Sequence, residues 1–347
     1  MIPARAPRPS PSGARMLVLD GQAGFRQSTV SDLPGLLQPG DLLVVNDAAT
    51  LPASLQARTA NSAAIEIRLV HYLGGSDWKA VLLGEGNWRT PTELRDPPPK
   101  LAAGDVLNIG DGVPAEIINV SLDSDRLVTI RFSLQGARMW TAIYKYGKPV
   151  QYAYLKNDLP LWSVQTSYAS RPWAAEMPSA GHPLTWKILL EIKRRGVGLA
   201  WLTHAAGLST TGDEDLDDKL PLPETFDIPQ STIDAIAACH GRGGRVIAVG
   251  TTVVRALEGC VAAHGWLVAG QNETDLRIGS AFRPQIVDGI LTGVHDPAQS
   301  HFRLLRAFAD ESILRPAWRH ATEAGYLCHE FGDLCLILPG RPAPFPL

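Results

Sequence analysis

The segment Val246-Ile247-Ala248-Val249-Gly250-Thr251-Thr252-Val253-Val254-Arg255 reads as a buried strand, a glycine turn and the start of a helix. Gly250 allows close backbone approach. The Thr251 and Thr252 hydroxyls and the free N–H groups of a helix N-terminus can hold an anion or a carboxylate. Arg255, one turn into the helix, can add positive charge. A plain Thr N-cap followed by a surface Arg is the competing reading. A second polar pair, Asn46-Asp47, follows the apolar run Leu42-Leu43-Val44-Val45, either as a ligand contact or as an Asx turn closing the strand. Three histidines, His182, His204 and His295, each stand where a loop follows an apolar segment. Imidazole is the natural general acid or base near neutral pH, although a lone histidine is more often structural. Their spacing supports no zinc site, and the acidic run Asp213–Asp218 lacks the glycine and terminal glutamate of a calcium loop. No G-x-G-x-x-G, P-loop or G-x-S-x-G string is present, so dinucleotide, Walker-type and serine-hydrolase chemistry have no support.

The elements that position these residues fall into two kinds. Met16–Asp20, Asp41–Asp47, Gly198–Leu202, Arg245–Val249 and Leu334–Leu338 are short apolar runs of strand type. Helical patterns stand at Leu184–Arg195, Ser231–Cys239 (with a Ser or Thr cap), Val253–Gly259, Phe302–Ala309 and Ala317–Ala324. Open α/β sheets place ligands at the carboxyl ends of their strands, which is where Asn46-Asp47 and Gly250-Thr251-Thr252 lie. Between about residues 55 and 150 the chain changes character. Five short strand-like runs separated by Gly- and Asp-containing turns suggest a small barrel or sandwich. An α/β domain made from both ends of the chain, interrupted by an all-β insertion, is therefore expected.

Composition narrows the class. The chain has 347 residues, 45% hydrophobic and 19% charged, which excludes a disordered chain, a coiled coil and a fibrous repeat. A net charge of −3 with no basic stripe means that any nucleic-acid site must be small and shape-selective. Four cysteines without a C-x-x-C pair read as core thiols of a reducing cytoplasm. No apolar run is long enough for a membrane span. Met1–Gly13, rich in Pro, Ser and Arg, reads as a flexible tail without the apolar stretch of a signal peptide.

Taken together, the segments resemble one family, the S-adenosylmethionine:tRNA ribosyltransferase-isomerases of queuosine biosynthesis. The resemblance runs in order from about residue 15 to 338. It is carried by Pro39–Asp47 with Leu51-Pro52-Ala53, Val164–Ala169, Ser179-Ala180-Gly181, Ile247–Glu258, Thr274-Asp275-Leu276, Val287–Thr292 and Phe331-Gly332-Asp333. The Gly-Thr-Thr-x-x-Arg-x-Leu-Glu string is the most specific part. The resemblance implies a tail at 1–14, an α/β domain at 15–55 and 151–347, and an inserted antiparallel β-barrel at 56–150. It implies S-adenosylmethionine as a substrate and no metal. The family transfers the ribosyl portion to the aminomethyl group of a deazaguanine base in tRNA; adenine and methionine leave, and the ribose rearranges to an epoxycyclopentane. A sulfonium leaving group is already activated, so the protein must supply a base for the proton on the carbon beside sulfur, and a pocket. His204 and His295 stand where family histidines stand and are the expected acid–base residues. Gly250, Thr251, Thr252 and Arg255 are the expected substrate contacts, with Asn46, Asp47, Gln165, Tyr168 and His182 as further ones.

Several family motifs are altered. Ala-Gly-Leu-His-Phe-Thr is Ala180-Gly181-His182-Pro183-Leu184-Thr185, with its His moved by one position. His-x-Met-His-x-Glu keeps only Glu224. Arg-Phe-Phe-Ser-Tyr-Gly-Asp reads Leu327-Cys328-His329-Glu330-Phe331-Gly332-Asp333, and the cation after Asp47 is lost. The losses lie in polar loops while the apolar strands are kept, the pattern of a retained scaffold with a changed site. Fewer cations also mean a weaker grip on tRNA phosphates. Three readings follow: the family reaction on a tRNA anticodon stem-loop, a paralogue using S-adenosylmethionine on another acceptor such as a small molecule, and a non-catalytic binding protein.

Overall fold

The computed structural model describes residues 1–20 and 24–339. Short apolar runs make central strands buried on both faces, and with more polar strands at the edges they build a nine-stranded sheet. Its order is Gly270–Thr274, Glu224–Ile228, Gly198–His204, Leu42–Asn46, Val246–Val249, Gly289–Gly293, Leu334–Leu338, Arg15–Asp20 and Phe25–Thr29. The four strands from Gly198–His204 to Gly289–Gly293 are parallel, and antiparallel strands flank them on both sides.

Side chains alternate along each strand, so the sheet has two cores. Leu42, Val44, Ala200, Leu202, Phe226, Val246, Ala248 and Ile290 face the helices Gln230–Gly241 and Thr251–His264. Leu43, Val45, Ile247, Val249 and Leu291 face the helix Trp186–Arg194. That helix is capped by the Thr185 side chain and carries Lys193 and Arg194 in its last turn, where they complement the helix dipole. The expected Ser or Thr cap on the next helix is not used. The helix spans Gln230–Gly241, and Pro229, already fixed at φ −64, takes the cap position without a side-chain bond.

Residues 54–148 form the second body. Six antiparallel strands run in the order Ser54–Arg58, Ala64–Gly74, Asp77–Leu83, Leu127–Phe132, Val113–Val120, Val106–Ile109. Pairing of Ala57 with Ile109 and Arg58 with Asn108 joins the first strand to the last and closes a barrel. Its interior is apolar, and a buried polar group sits on the outer face of the second strand, where Glu66 and Arg68 alternate with the inward-facing Ile65, Ile67 and Leu69. Glu66 accepts from Arg68 Nε at 2.8 Å, Arg95 Nη1 at 2.6 Å and Ser54 Oγ at 2.8 Å. The chain enters and leaves the barrel at one place, because Gly147–Lys148 pairs with Ser54 and Leu55. A side chain at Gly147 would fall 2.1 Å from the Pro52 carbonyl oxygen, so only glycine fits that crossing.

The expectation of a flexible tail over residues 1–14 is corrected. Ile2–Pro3 pairs in parallel with Leu327–Cys328, Ala4 is buried, and Arg8 donates to Asp333 at 2.7 Å. Asp333 is buried and also accepts from Arg15 N, Arg15 Nη2 and Leu327 N at 2.8–2.9 Å. Pro and Arg content suggests mobility, but strand pairing and the bond from Arg8 to a buried carboxylate hold the segment. All four cysteines are free thiols. Among the described residues no helix is long and apolar enough to cross a membrane, and no group of three His, Cys, Asp or Glu is placed to hold a metal.

Candidate active site at the carboxyl edge of the sheet

Period-two alternation decides which polar side chains meet. On the face that packs helix Thr251–His264, each strand continues its apolar series one step further. Leu42 and Val44 lead to Asn46, Ala200 and Leu202 to His204, and Ile290 to Thr292. On the antiparallel neighbour, Ile228 and Phe226 lead to Glu224. Strand direction and register bring all four polar residues to one edge. Thr252 and Arg255 come from the helix that starts there.

His204 is fully buried, and neither ring nitrogen has a hydrogen-bond partner. Its Nε2 lies 3.3 Å from Glu224 Oε2 without the angle of a bond. Glu224 Oε1 accepts from Gly207 N at 2.9 Å, and Oε2 is paired with Arg255 Nη1. Arg255 is thus a buried member of an ion pair rather than a surface residue, and its Nη2 has no partner. Burial pushes the Glu224 carboxyl up, against the pull of Arg255. Burial, and then Arg255, hold His204 well below the ordinary imidazole value. A buried polar atom without a partner is uncommon, and here three of them, both His204 ring nitrogens and Arg255 Nη2, lie together.

Beyond Arg255 lies a second histidine group. His295 Nε2 is 2.9 Å from Thr292 Oγ1, and its ring lies flat against His301, centroids 4.8 Å apart and 13° from parallel. Burial, with His301 and His329 nearby, lowers His295 well below the usual value. Burial and Arg255 lower His301 to about 4. At neutral pH these imidazoles are neutral, the form that accepts a proton.

Thr251 begins its helix and caps nothing, since Gly250 at φ +91 occupies the cap position. Thr252 Oγ1 accepts from Asn46 Nδ2 at 3.3 Å. Asn46 is mainly a clamp between strands: it donates to His204 O at 3.0 Å and accepts from His204 N at 2.9 Å and from Ala48 N at 3.0 Å. The structure therefore shows the Asx turn at Asn46 and a contact to the Gly-Thr-Thr turn together. The remaining expected site residues are not in this group. Asp47 points to the other face, accepts from Thr203 Oγ1 at 2.5 Å and is raised by burial. Tyr168 packs on that same face, its hydroxyl buried against Gly181 without a partner. Gln165 exchanges two 2.9 Å bonds with the backbone of Thr50, a structural role. His182 meets Phe331 edge-on at 5.3 Å.

The barrel borders this edge. Thr225 Oγ1 lies 3.1 Å from His71 Nε2, and Arg68 sits over the Tyr152 ring at 5.6 Å. Near this junction two further carboxylates are raised by burial, Glu176 bonded to Ser209 and Tyr152, and Glu330 bonded to Tyr154 at 2.5 Å. Glu224, His301, Glu176 and Glu330 were not among the expected site residues. Glu224 carried one signal, as the only residue kept from its motif. Glu258, the last residue of the Gly-Thr-Thr string, is structural: it accepts 2.9 Å bonds from the N–H groups of Gln285, Ile286 and Val287.

An α/β scaffold with an inserted antiparallel barrel beside the carboxyl edge of its sheet, and unpartnered acid–base groups at that edge, defines a class of enzyme rather than a packing module. The chain belongs to the family described as queuosine biosynthesis protein, whose sequence model matches residues 2–337. It is 35% identical to the S-adenosylmethionine:tRNA ribosyltransferase-isomerase of Acidithiobacillus ferrooxidans, over 97% of this chain and 94% of that one. It is 33% identical to the enzyme of the same name from Nitrobacter winogradskyi, over 94% and 92%. Among solved structures it is similar to the S-adenosylmethionine tRNA ribosyltransferase of Thermotoga maritima, with a TM-score of 0.52 and 25% identity over 97% of this chain and 96% of that one.

Proposed function

We propose that the protein is an S-adenosylmethionine:tRNA ribosyltransferase-isomerase, acting in the cytoplasm on S-adenosylmethionine and a deazaguanine-bearing tRNA anticodon stem-loop. Besides family membership, the observation that carries this reading is the cluster at the sheet edge: His204 with two unpartnered nitrogens, set against the Glu224–Arg255 pair and beside Thr252. The roles follow from the chemistry. The sulfonium needs no covalent help, so the protein supplies a base and a fixed geometry. His204 and His295 are both neutral at pH 7, as a base for the carbon beside sulfur must be. The Thr252 hydroxyl and the N–H groups opening the Thr251–His264 helix suit polar or anionic substrate groups. Arg255 Nη2 offers one more donor.

The test is isothermal titration with S-adenosylmethionine, followed by chromatography for released adenine with and without deazaguanine-bearing tRNA. Binding with tRNA-dependent adenine release is expected. Release that ignores tRNA would move the acceptor to another molecule, and absence of binding would overturn the assignment.

A further inference from the structure

His301 has no role in the reading above, yet its ring covers one face of the His295 ring. We propose that His301 is a positioning residue for His295, its ring lying flat against the His295 imidazole and fixing the plane in which the His295 nitrogens point. The proposal rests on His295 being a base in the reaction.

The geometry supports it in three ways. First, the bond between His295 Nε2 and Thr292 Oγ1 and the Gln299 side chain hold the ring at its edge, and a parallel ring at 4.8 Å and 13° supports its face and limits its tilt. A base must be aimed within tens of degrees to take a proton from carbon, so the plane matters. Second, His301 is anchored on an element of its own, the helix Ser300–Leu305, whose Phe302, Leu304 and Leu305 are buried in the core. The preceding turn is closed by Gln299, which accepts from Asp296 N at 3.2 Å. Third, the charges around the pair favour one proton rather than two. Arg255 from the helix Thr251–His264 faces His301, and His329 from the loop before Leu334–Leu338 faces His295. His301 therefore stays neutral, and a neutral aromatic face attracts the imidazolium that forms when His295 takes a proton.

The experiment compares His301→Leu with His301→Phe in the full chain, with His295→Ala as reference, by steady-state adenine release from S-adenosylmethionine and tRNA. Leucine fills space without a ring face; phenylalanine restores the face without a titratable nitrogen. For His301→Leu we expect kcat to fall about tenfold, ~1.4 kcal/mol in the barrier, with KM for S-adenosylmethionine within about twofold of wild type. For His301→Phe we expect kcat within about threefold of wild type. Melting curves check that both variants are folded. A Phe variant as slow as the Leu variant, or a Leu variant with wild-type kcat, overturns the proposal. Normal turnover in His295→Ala overturns instead the assignment of His295 as a base. A direct readout needs no turnover: 15N spectra of the imidazoles should show the His295 resonances broadened by His301→Leu and sharp in His301→Phe. Unchanged spectra in both variants count against the proposal.

Discussion

Replacing Glu224 by Gln tests the centre of the site. The change keeps the shape and one carbonyl oxygen and removes the charge. In the wild type one carboxylate oxygen takes the Gly207 N–H and the other takes Arg255, with both side chains of the ion pair only 9% exposed. Leaving one member of a buried ion pair without its partner costs about 3–5 kcal/mol. The remaining carbonyl can still accept one bond, which returns about 1 kcal/mol. The net loss is then about 2–4 kcal/mol. Unfolding entropy near 2.1 cal/mol/K per residue over 347 residues is about 0.7 kcal/mol/K, so the melting temperature should fall by about 3–6 °C. Turnover should fall as well, because Arg255 is released to approach His204 and His301. A drop in kcat of at least about tenfold is expected, equivalent to ~1.4 kcal/mol. Scanning calorimetry and the adenine-release assay give the two numbers on one preparation. A melting temperature that stays constant or rises would show that desolvation of the pair outweighs its attraction, and that Glu224 does not hold Arg255 in place.

Three further outcomes follow from the same structure. Thr252→Val removes the hydroxyl that accepts from Asn46 and, in the proposed site, meets substrate; affinity for S-adenosylmethionine should fall by about threefold to tenfold, one hydrogen bond's worth, and unchanged titration curves would remove Thr252 from the site. Because His301 sits at about 4 when folded and near 6.5 when unfolded, the unfolded chain binds more protons between those values. Stability should therefore be full above pH 6.5 and decline as pH falls toward 4, with a lower melting temperature at pH 5 than at pH 7; His301→Phe should shrink that difference, and an equal difference would refute the assignment. Asp333→Asn removes the charge that holds Arg8 and Arg15; trypsin should then cleave after Arg5 several-fold faster, and an unchanged digestion rate would mean that strand pairing at Ile2–Pro3 suffices.

Much of this was legible in the sequence because buried parallel strands announce themselves. Leu42–Asn46 and Val246–Val249 are uninterrupted apolar runs that end in polar residues, so their place and the site's edge followed from local pattern alone. The barrel was legible through its turns. The partners across the edge were not. Glu224 reaches Arg255 through the antiparallel pairing of Glu224–Ile228 with Gly198–His204, a long-range contact that no local window encodes. His301 meets His295 because a turn folds the chain back over six residues, and nothing in Gln299-Ser300-His301 signals it. Asp47 stands next to Asn46 in sequence, but alternation sends it to the opposite face, where it meets Thr203, and Tyr168, expected at the site from the family resemblance, packs on that same far face. The tail was misread because arginines suggest solvent, whereas Arg8 and Arg15 share one buried carboxylate.

The single crossing between the two bodies bears on the ancestry of this architecture. Ser54 and Leu55 leave the sheet domain directly opposite Gly147 and Lys148, which return to it. Two paired residues stand about 5 Å apart, a gap that a tight turn can close. A simpler ancestor could thus have run from Ala53 to Pro149 through such a turn, and gained the barrel in one insertion without moving any strand of the sheet. Because the Pro52 carbonyl excludes every side chain larger than hydrogen from position 147, the glycine at that junction is what lets the outgoing and returning strands lie side by side.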